Sequence, residues 1–367
     1  MILDFNQYAK FVITYSASIE RRDKVLIIGA SEAIPLIKEL YREILKVGAH
    51  PIRPYIEFPE MEYIFYLEAN QEQLNFLDPF ELNLMQKIDA LILIEGKMNT
   101  RELSTIPSHK IQQKKMANAE IMNIFYERQA KDQLKWTMIP YPTNAMAQEA
   151  NLSQEELAKI IVKGCFLDRE DPIASWKQLH DKQEIYCEHL NSVDNIRIIN
   201  KDTDISMSVK GRKWINSDGR GNLPDGEIFT GPVEDSVNGH IKFSYPTIDK
   251  SHVIEDIEFE FKNGEIIEAR ASNGQEALDA LLHVPGARKL GEVAIGTNWG
   301  LDAFIGNILF DEKIGGTIHI AIGNGYPETG SQNKSAIHKD LLCDMKENGQ
   351  IFADGKLIYE KGNFLIP

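Results

Sequence analysis

The chain has 367 residues, 43% hydrophobic and 26% charged, with 40 basic against 55 acidic side chains for a formal net charge of −15. That length exceeds what one core usually fills, so two domains are expected, and the composition is that of an ordinary globular protein. The acidic balance argues against nucleic acid as a partner, because a phosphate backbone is bound by a basic face.

No run of about 18 apolar residues occurs, so no membrane span is expected. The start, Met1 to Tyr8, lacks the basic region and apolar stretch of a secretory signal, which points to the cytoplasm. Cys165, Cys187 and Cys343 have no metal-type CxxC spacing and read as reduced thiols.

In the first half, short apolar runs at 24–29, 51–56, 88–94 and 136–140 predict strands, and the patterns at 34–47 and 117–131 predict intervening helices. Strand and helix in alternation imply a doubly wound, mostly parallel sheet covered on both faces. The turn after the first strand lacks the GxGxxG glycines that let a backbone approach a pyrophosphate, so no cofactor is expected there and Ser31 is expected to cap the next helix. Ser153 with Glu156 forms a capping-box pattern ahead of a helix through Lys163, and a second helix is expected over 172–190 as a connector.

Beyond it the pattern changes to a period of two, at 195–200, 204–209, 254–264 and 264–270, with a hairpin turn at Asn263-Gly264. Helices are expected at 274–282 and 302–310, the latter just ahead of a strand carrying His319. The fold class is therefore α/β plus α+β, with an α/β domain and helical connector over 1–190 and a β-rich catalytic domain over 191–367.

The chemistry concentrates in that second domain. His319, Tyr326, His338 and Asp340 lie within 22 residues rich in glycine and apolar side chains, a composition suited to a borderline cation such as zinc. In an extended segment residues i and i+2 share a face, so His338 and Asp340 can converge on one ion while Lys339 points away. Glu227 and Glu292 each stand among small and apolar residues, where an unpaired charge is expensive to bury and a cation resolves the cost. HExxH is absent, which removes the common mononuclear zinc-protease pattern.

Four ordered blocks carry a resemblance. They are Leu223-Pro-Asp-Gly-Glu227-Ile-Phe, Gly291-Glu292-Val-Ala-Ile-Gly-Thr-Asn298, Asp311-Glu-Lys-Ile-Gly-Gly-Thr-Ile-His319-Ile-Ala-Ile-Gly-Asn-Gly-Tyr326-Pro and Ile337-His338-Lys-Asp340. Together they resemble the aminopeptidase T / aminopeptidase S family of dinuclear metallo-aminopeptidases. The resemblance implies that Glu227, Glu292, His319, His338 and Asp340 hold two divalent ions (zinc, cobalt or manganese); which carboxylate bridges them is not readable from the chain, and Glu292 is the one favoured here. It also implies Tyr326 in the active site and a homodimer acting on short peptides. Glu312 is the candidate general base, two residues farther from the histidine than its counterpart in other members can stand. Glu234 or Asp235 is considered for the substrate α-amine only because of nearness to Glu227. Two alternatives are a dimetal phosphoesterase, which would use the same ligand types, and a non-catalytic two-domain binding protein.

Overall fold

The computed structural model describes residues 3–249 and 252–366, and the chain forms two compact units. One comprises Met1–Ile173 with Gly219–Pro224, the other Ala174–Asp218 with Asp225–Pro367. Among the described residues no helix is long and apolar enough to cross a membrane.

In the first unit, strand β1 (Lys24–Ala30) lies between β2 (His50–Pro51) and β3 (Tyr55–Glu57) on one side and β4 (Ala90–Glu95) on the other, with β5 (Lys135–Pro140) beyond β4; every pairing is parallel. The apolar run expected as one strand at 51–56 is divided, because Pro51 and Pro54 carry no N–H for a ladder. Helix Ile34–Lys46 buries Leu36, Ile37, Leu40 and Ile44, one stripe at helical spacing. Ser31 is not its cap. The chain first makes a 3₁₀ turn over Ser31–Ala33, Ala33 takes the capping position, and the Ser31 hydroxyl donates instead toward Glu32 and Met98. Helices Pro79–Lys87 and Ser108–Ala117 bury no residue fully, and Leu84, Met85 and Ile111 only in part, so they leave no clear apolar stripe in the sequence.

The capping box of Ser153 and Glu156 is present and starts helix Gln154–Gly164. Helix Pro172–Leu190 follows as expected, but from Ala174 onward it belongs to the second unit, so the division falls near 173 and not at 190. Its Cys187 and Leu190 join that unit's core, which is why it packs there.

The second unit carries an eight-stranded antiparallel sheet and a five-stranded one. The larger runs from Glu265–Arg270 through Glu258–Lys262, Asn238–Lys242, Thr203–Ser208 and Asn195–Asn200 to the C-terminal strands between Gln350 and Phe364. Asn263 and Gly264 both have positive φ, 52° and 83°, the geometry that closes a two-residue hairpin. The smaller sheet holds β6 (Ile215–Ser217), β7 (Glu227–Thr230), β8 (Leu290–Gly296), β9 (Thr317–Gly323) and β10 (His338–Asp344), in the antiparallel order β10-β9-β8-β7-β6. Ile198, Ile205 and Phe259 of the larger sheet share one buried core with Ile228, Val293, Ile295, Ile318, Ile320 and Leu341 of the smaller and with Leu278, Leu281 and Leu282 of helix Gln275–Leu282. The helix expected at 302–310 is only Ile308–Asp311. Gly306 adopts φ +74°, which a right-handed helix does not accommodate, and Asn307 caps the turn that follows.

Candidate metal centre

Side chains alternate across a strand, so once Ile228, Val293, Ile295, Ile318, Ile320 and Leu341 face the core, their neighbours face away from it. Glu227 on β7, Glu292 on β8, His319 on β9 and His338 with Asp340 on β10 therefore share the opposite face. Register brings them together. Glu292 and Asp340 both pair with Ala321, and His319 pairs with Ala294, so alanines form the floor between the charged groups. Lys339 points the other way and donates from Nζ to the Ile248 carbonyl at 2.6 Å.

Three overlapping donor groups result: Glu227, Glu292 and His319; Glu292, His338 and Asp340; and Glu312, His319 and Asp340. Glu292 belongs to the first two, with Oε1 3.8 Å from His319 Nε2 and Oε2 3.0 Å from His338 Nε2. Glu227 Oε2 lies 3.3 Å from His319 Nε2, and Asp340 Oδ1 lies 3.3 Å from His338 Nε2. Neither of these last two oxygens has an aligned hydrogen-bond donor although both are buried. His338 Nδ1 sits 2.7 Å from the Asn324 carbonyl, which can only accept, so Nδ1 keeps its proton and Nε2, facing the carboxylates, is the nitrogen that gives up its proton when the ring ligates a cation.

The electrostatics follow from crowding acids and bases out of water. Burial pushes Glu227 up to about 8 despite Lys313 and His319. Burial acts the same way on Glu292 and Asp340 but is overcome, on Glu292 by His319 and His338 and on Asp340 by His338, so Glu292 is lowered and Asp340 falls to about 2. Burial opposes charge on the imidazoles, yet the carboxylates win and raise His319 to about 9 and His338 to about 11. Such a set, with orphaned buried oxygens and imidazole nitrogens aimed at them, fits divalent cations well: each ion supplies the positive charge and the acceptors' missing partner together.

The sequence from residue 3 to 364 matches the thermophilic metalloprotease (M29) family. The chain belongs to that family. It is 25% identical to Aminopeptidase 2 of Geobacillus stearothermophilus over 98% of this chain and 97% of that protein. It is 26% identical to Aminopeptidase T of Thermus thermophilus over 98% and 95%. Wild-type AmpT from Thermus thermophilus, a solved structure, aligns with a TM-score of 0.85 over 99% of each chain at 23% identity, which shows a shared fold. As an M29 member the chain is a metal-dependent peptidase, with an α/β unit and a β-rich unit as the sequence predicts.

Tyr326 packs its ring against His338 (centroids 4.9 Å apart) and edge-on to Phe229 at 5.3 Å. Burial, then Glu292 and Asp340, hold its phenol well above the usual tyrosine range. Glu312 follows helix Ile308–Asp311 and joins the cluster despite its longer spacing from His319. Glu234 is otherwise engaged: it pairs with Arg212 at 2.6 Å and accepts the Gln332 N–H at 2.6 Å, pinning the loop after Tyr326. Sequence reading missed two further members. Lys313, 1% exposed, contacts Glu227 and Glu312 and lies 3.6 Å from Asp225, which is itself fully buried. Asp225 is held by Asn298, whose Nδ2 donates to its carbonyl at 2.7 Å, while the Asn298 N–H donates to the Lys313 carbonyl at 3.0 Å.

Proposed function

We propose that the chain is an aminopeptidase that hydrolyses the amino-terminal bond of short peptides, with two divalent cations held by Glu227, Glu292, His319, His338 and Asp340. The observation that carries this is the pair of donor groups sharing Glu292, whose two oxygens face different histidines; that arrangement supports Glu292 as the bridge. Bound there, the cations would polarise the peptide carbonyl and make water acidic near neutral pH. Glu312, 15% exposed in its side chain and so open to a bound water, takes the proton of the attacking water and returns it to the leaving amine. Tyr326 keeps its proton and donates a hydrogen bond to the oxygen that becomes negative in the tetrahedral intermediate.

A phosphoesterase is not favoured. The lysine nearest the ligands, Lys313, is taken up by carboxylates and offers nothing to a phosphoryl group. A non-catalytic binding protein is not favoured by membership in a peptidase family. Three buried cysteines that form no disulfide accord with a reducing compartment, which supports the cytoplasm. A homodimer is supported by Met61, Ile64 and Leu67, three exposed apolar side chains on one face of helix Pro59–Glu68.

The test is to strip the protein with chelator, restore zinc, cobalt or manganese separately, and assay leucyl, arginyl and phenylalanyl amides, an amino-blocked amide and an aryl phosphate. Metal-restored cleavage of the free-amine amides alone is the expected result; release of phosphate, or full activity after exhaustive stripping, would refute the reading. Glu292→Ala is expected to lose turnover by orders of magnitude while remaining folded.

A further inference from the structure

Lysine is a strongly hydrated cation that is almost never fully buried unless paired. Lys313 is 1% exposed, so its place has to be accounted for by its partners. Its Nζ contacts Glu227 Oε1, lies 2.7 Å from Glu312 Oε1 and 3.6 Å from Asp225 Oδ1. An ammonium has three N–H donors and no acceptor, and here carboxylates are what surrounds it. Glu227 consequently uses its oxygens differently, with Oε1 on Lys313 and Oε2 turned to His319 Nε2.

Charge points the same way. With the histidines neutral, Asp225, Glu227, Glu292, Glu312 and Asp340 carry five negative charges, which one ammonium and two divalent cations balance; without Lys313 one negative charge would stay buried and uncompensated.

We propose that Lys313 is a positioning residue: its ammonium ties Glu312 to Glu227, so that Glu227 offers only Oε2 to the ligand cluster and Glu312 is held beside His319 and Asp340. The kinetic consequence rests on the aminopeptidase reading, whereas the consequence for the ligand cluster does not. Lys313 touches no reacting atom, and its effect passes through the two carboxylates. A purely structural ion pair would behave otherwise: Lys313→Met would then lower stability by leaving a buried carboxylate uncompensated, while the cobalt bands and the kcat of the folded protein stayed as in the wild type.

The test uses the chelator-stripped full-length chain titrated with cobalt(II) and read by visible absorption, then assayed on a leucyl anilide. The variants are Lys313→Met, Glu312→Gln and the two together. Lys313→Met is expected to change the intensity of the cobalt bands, because Glu227 gains a second free oxygen, and to lower kcat about 10²-fold. KM is expected to stay within about threefold, as for a group that serves the transition state and not substrate binding. In the Glu312→Gln background the same substitution is expected to cost about tenfold less, because the two residues act as one unit. Lys313→Gln, which keeps an N–H donor, is expected to recover part of kcat and the wild-type absorption, and it carries the comparison if Lys313→Met does not fold. A wild-type cobalt spectrum in Lys313→Met, or losses that simply multiply in the double variant, overturns the proposal. If the wild-type protein cleaves no anilide, the aminopeptidase reading fails, and the cobalt spectrum alone still decides the role of Lys313.

Discussion

In the proposed mechanism Tyr326 is a hydrogen-bond donor, and its raised phenol keeps the proton it donates. Its phenol is raised by burial and then by Glu292 and Asp340, so the neutral, proton-bearing form persists as pH rises through the values at which tyrosine ordinarily ionises. Tyr326→Phe is therefore expected to lower kcat about 10²–10³-fold, the usual loss for one oxyanion donor. The factor should be the same on both limbs of the pH profile, and an alkaline limb that shifts in the variant would mean the phenol does titrate. His319 and His338 have the opposite consequence. Raised to about 9 and about 11, they are protonated throughout neutral pH and lose that proton only as pH climbs through those values, yet an imidazole ligates only when neutral. Loading the stripped protein with zinc near neutral pH is thus expected to release about two protons per chain from these rings and most of a third from Glu227, which burial raises to about 8. Titration calorimetry in buffers of differing ionisation enthalpy measures this, and a binding heat independent of buffer would contradict it. The five proposed ligands were legible in sequence because each acid or imidazole stood out among glycines and apolar residues. Lys313 and Asp225 were not, since a lysine in a sequence defaults to the surface and only the fold reveals that this one is enclosed.

At the scale of elements, the site depends on how the loop before β7 meets the loop after β8. Thr297 N–H donates to the Gly226 carbonyl at 2.8 Å, and Gly226 itself adopts φ +111° with room for no side chain: an added Cβ would come 2.8 Å from Asn298 Cβ. Gly226→Ala is expected to cost about 1–3 kcal/mol from backbone strain alone. Because Asp225 and Glu227 flank it, the variant should also bind cobalt more weakly; thermal unfolding with and without the ion reads both, and unfolding indistinguishable from wild type would sink the argument. Elements with a strict period were read correctly from sequence: the strands near 195–200, 204–208, 258–262 and 265–270 by alternation, helix Gln154–Gly164 by its capping box, the 263–264 turn by Asn-Gly. Those without a period were not. Helices Pro79–Lys87 and Ser108–Ala117 bury no residue fully, and the 302–310 segment has helix-forming composition interrupted by one glycine whose left-handed backbone is set by the fold. Pairing order was likewise out of reach, because which strand lies beside β9 is a property of long-range contacts.

Over the whole molecule, apolar burial is divided and the ionisable cluster is not. Leu26, Ile88, Leu91, Phe125 and Leu134 form a core inside the first unit, while the second unit has its own core between two sheets. Every proposed ligand, with Glu312, Lys313 and Tyr326, belongs to the second unit. A cation that binds only the folded form stabilises it by mass action, about 2.7 kcal/mol per site at a hundredfold excess over Kd. Two such sites in a unit of this size correspond to a shift of about 10–20 °C in its midpoint. Scanning calorimetry is therefore expected to resolve two transitions, of which only one falls when chelator is added and returns when zinc is restored, while the other stays in place. Replacing Glu292, the ligand shared by both donor groups, should abolish that zinc-dependent shift and leave the second transition where it was. Equal displacement of both transitions by chelator, or of neither, would show that the ions do not act through this cluster.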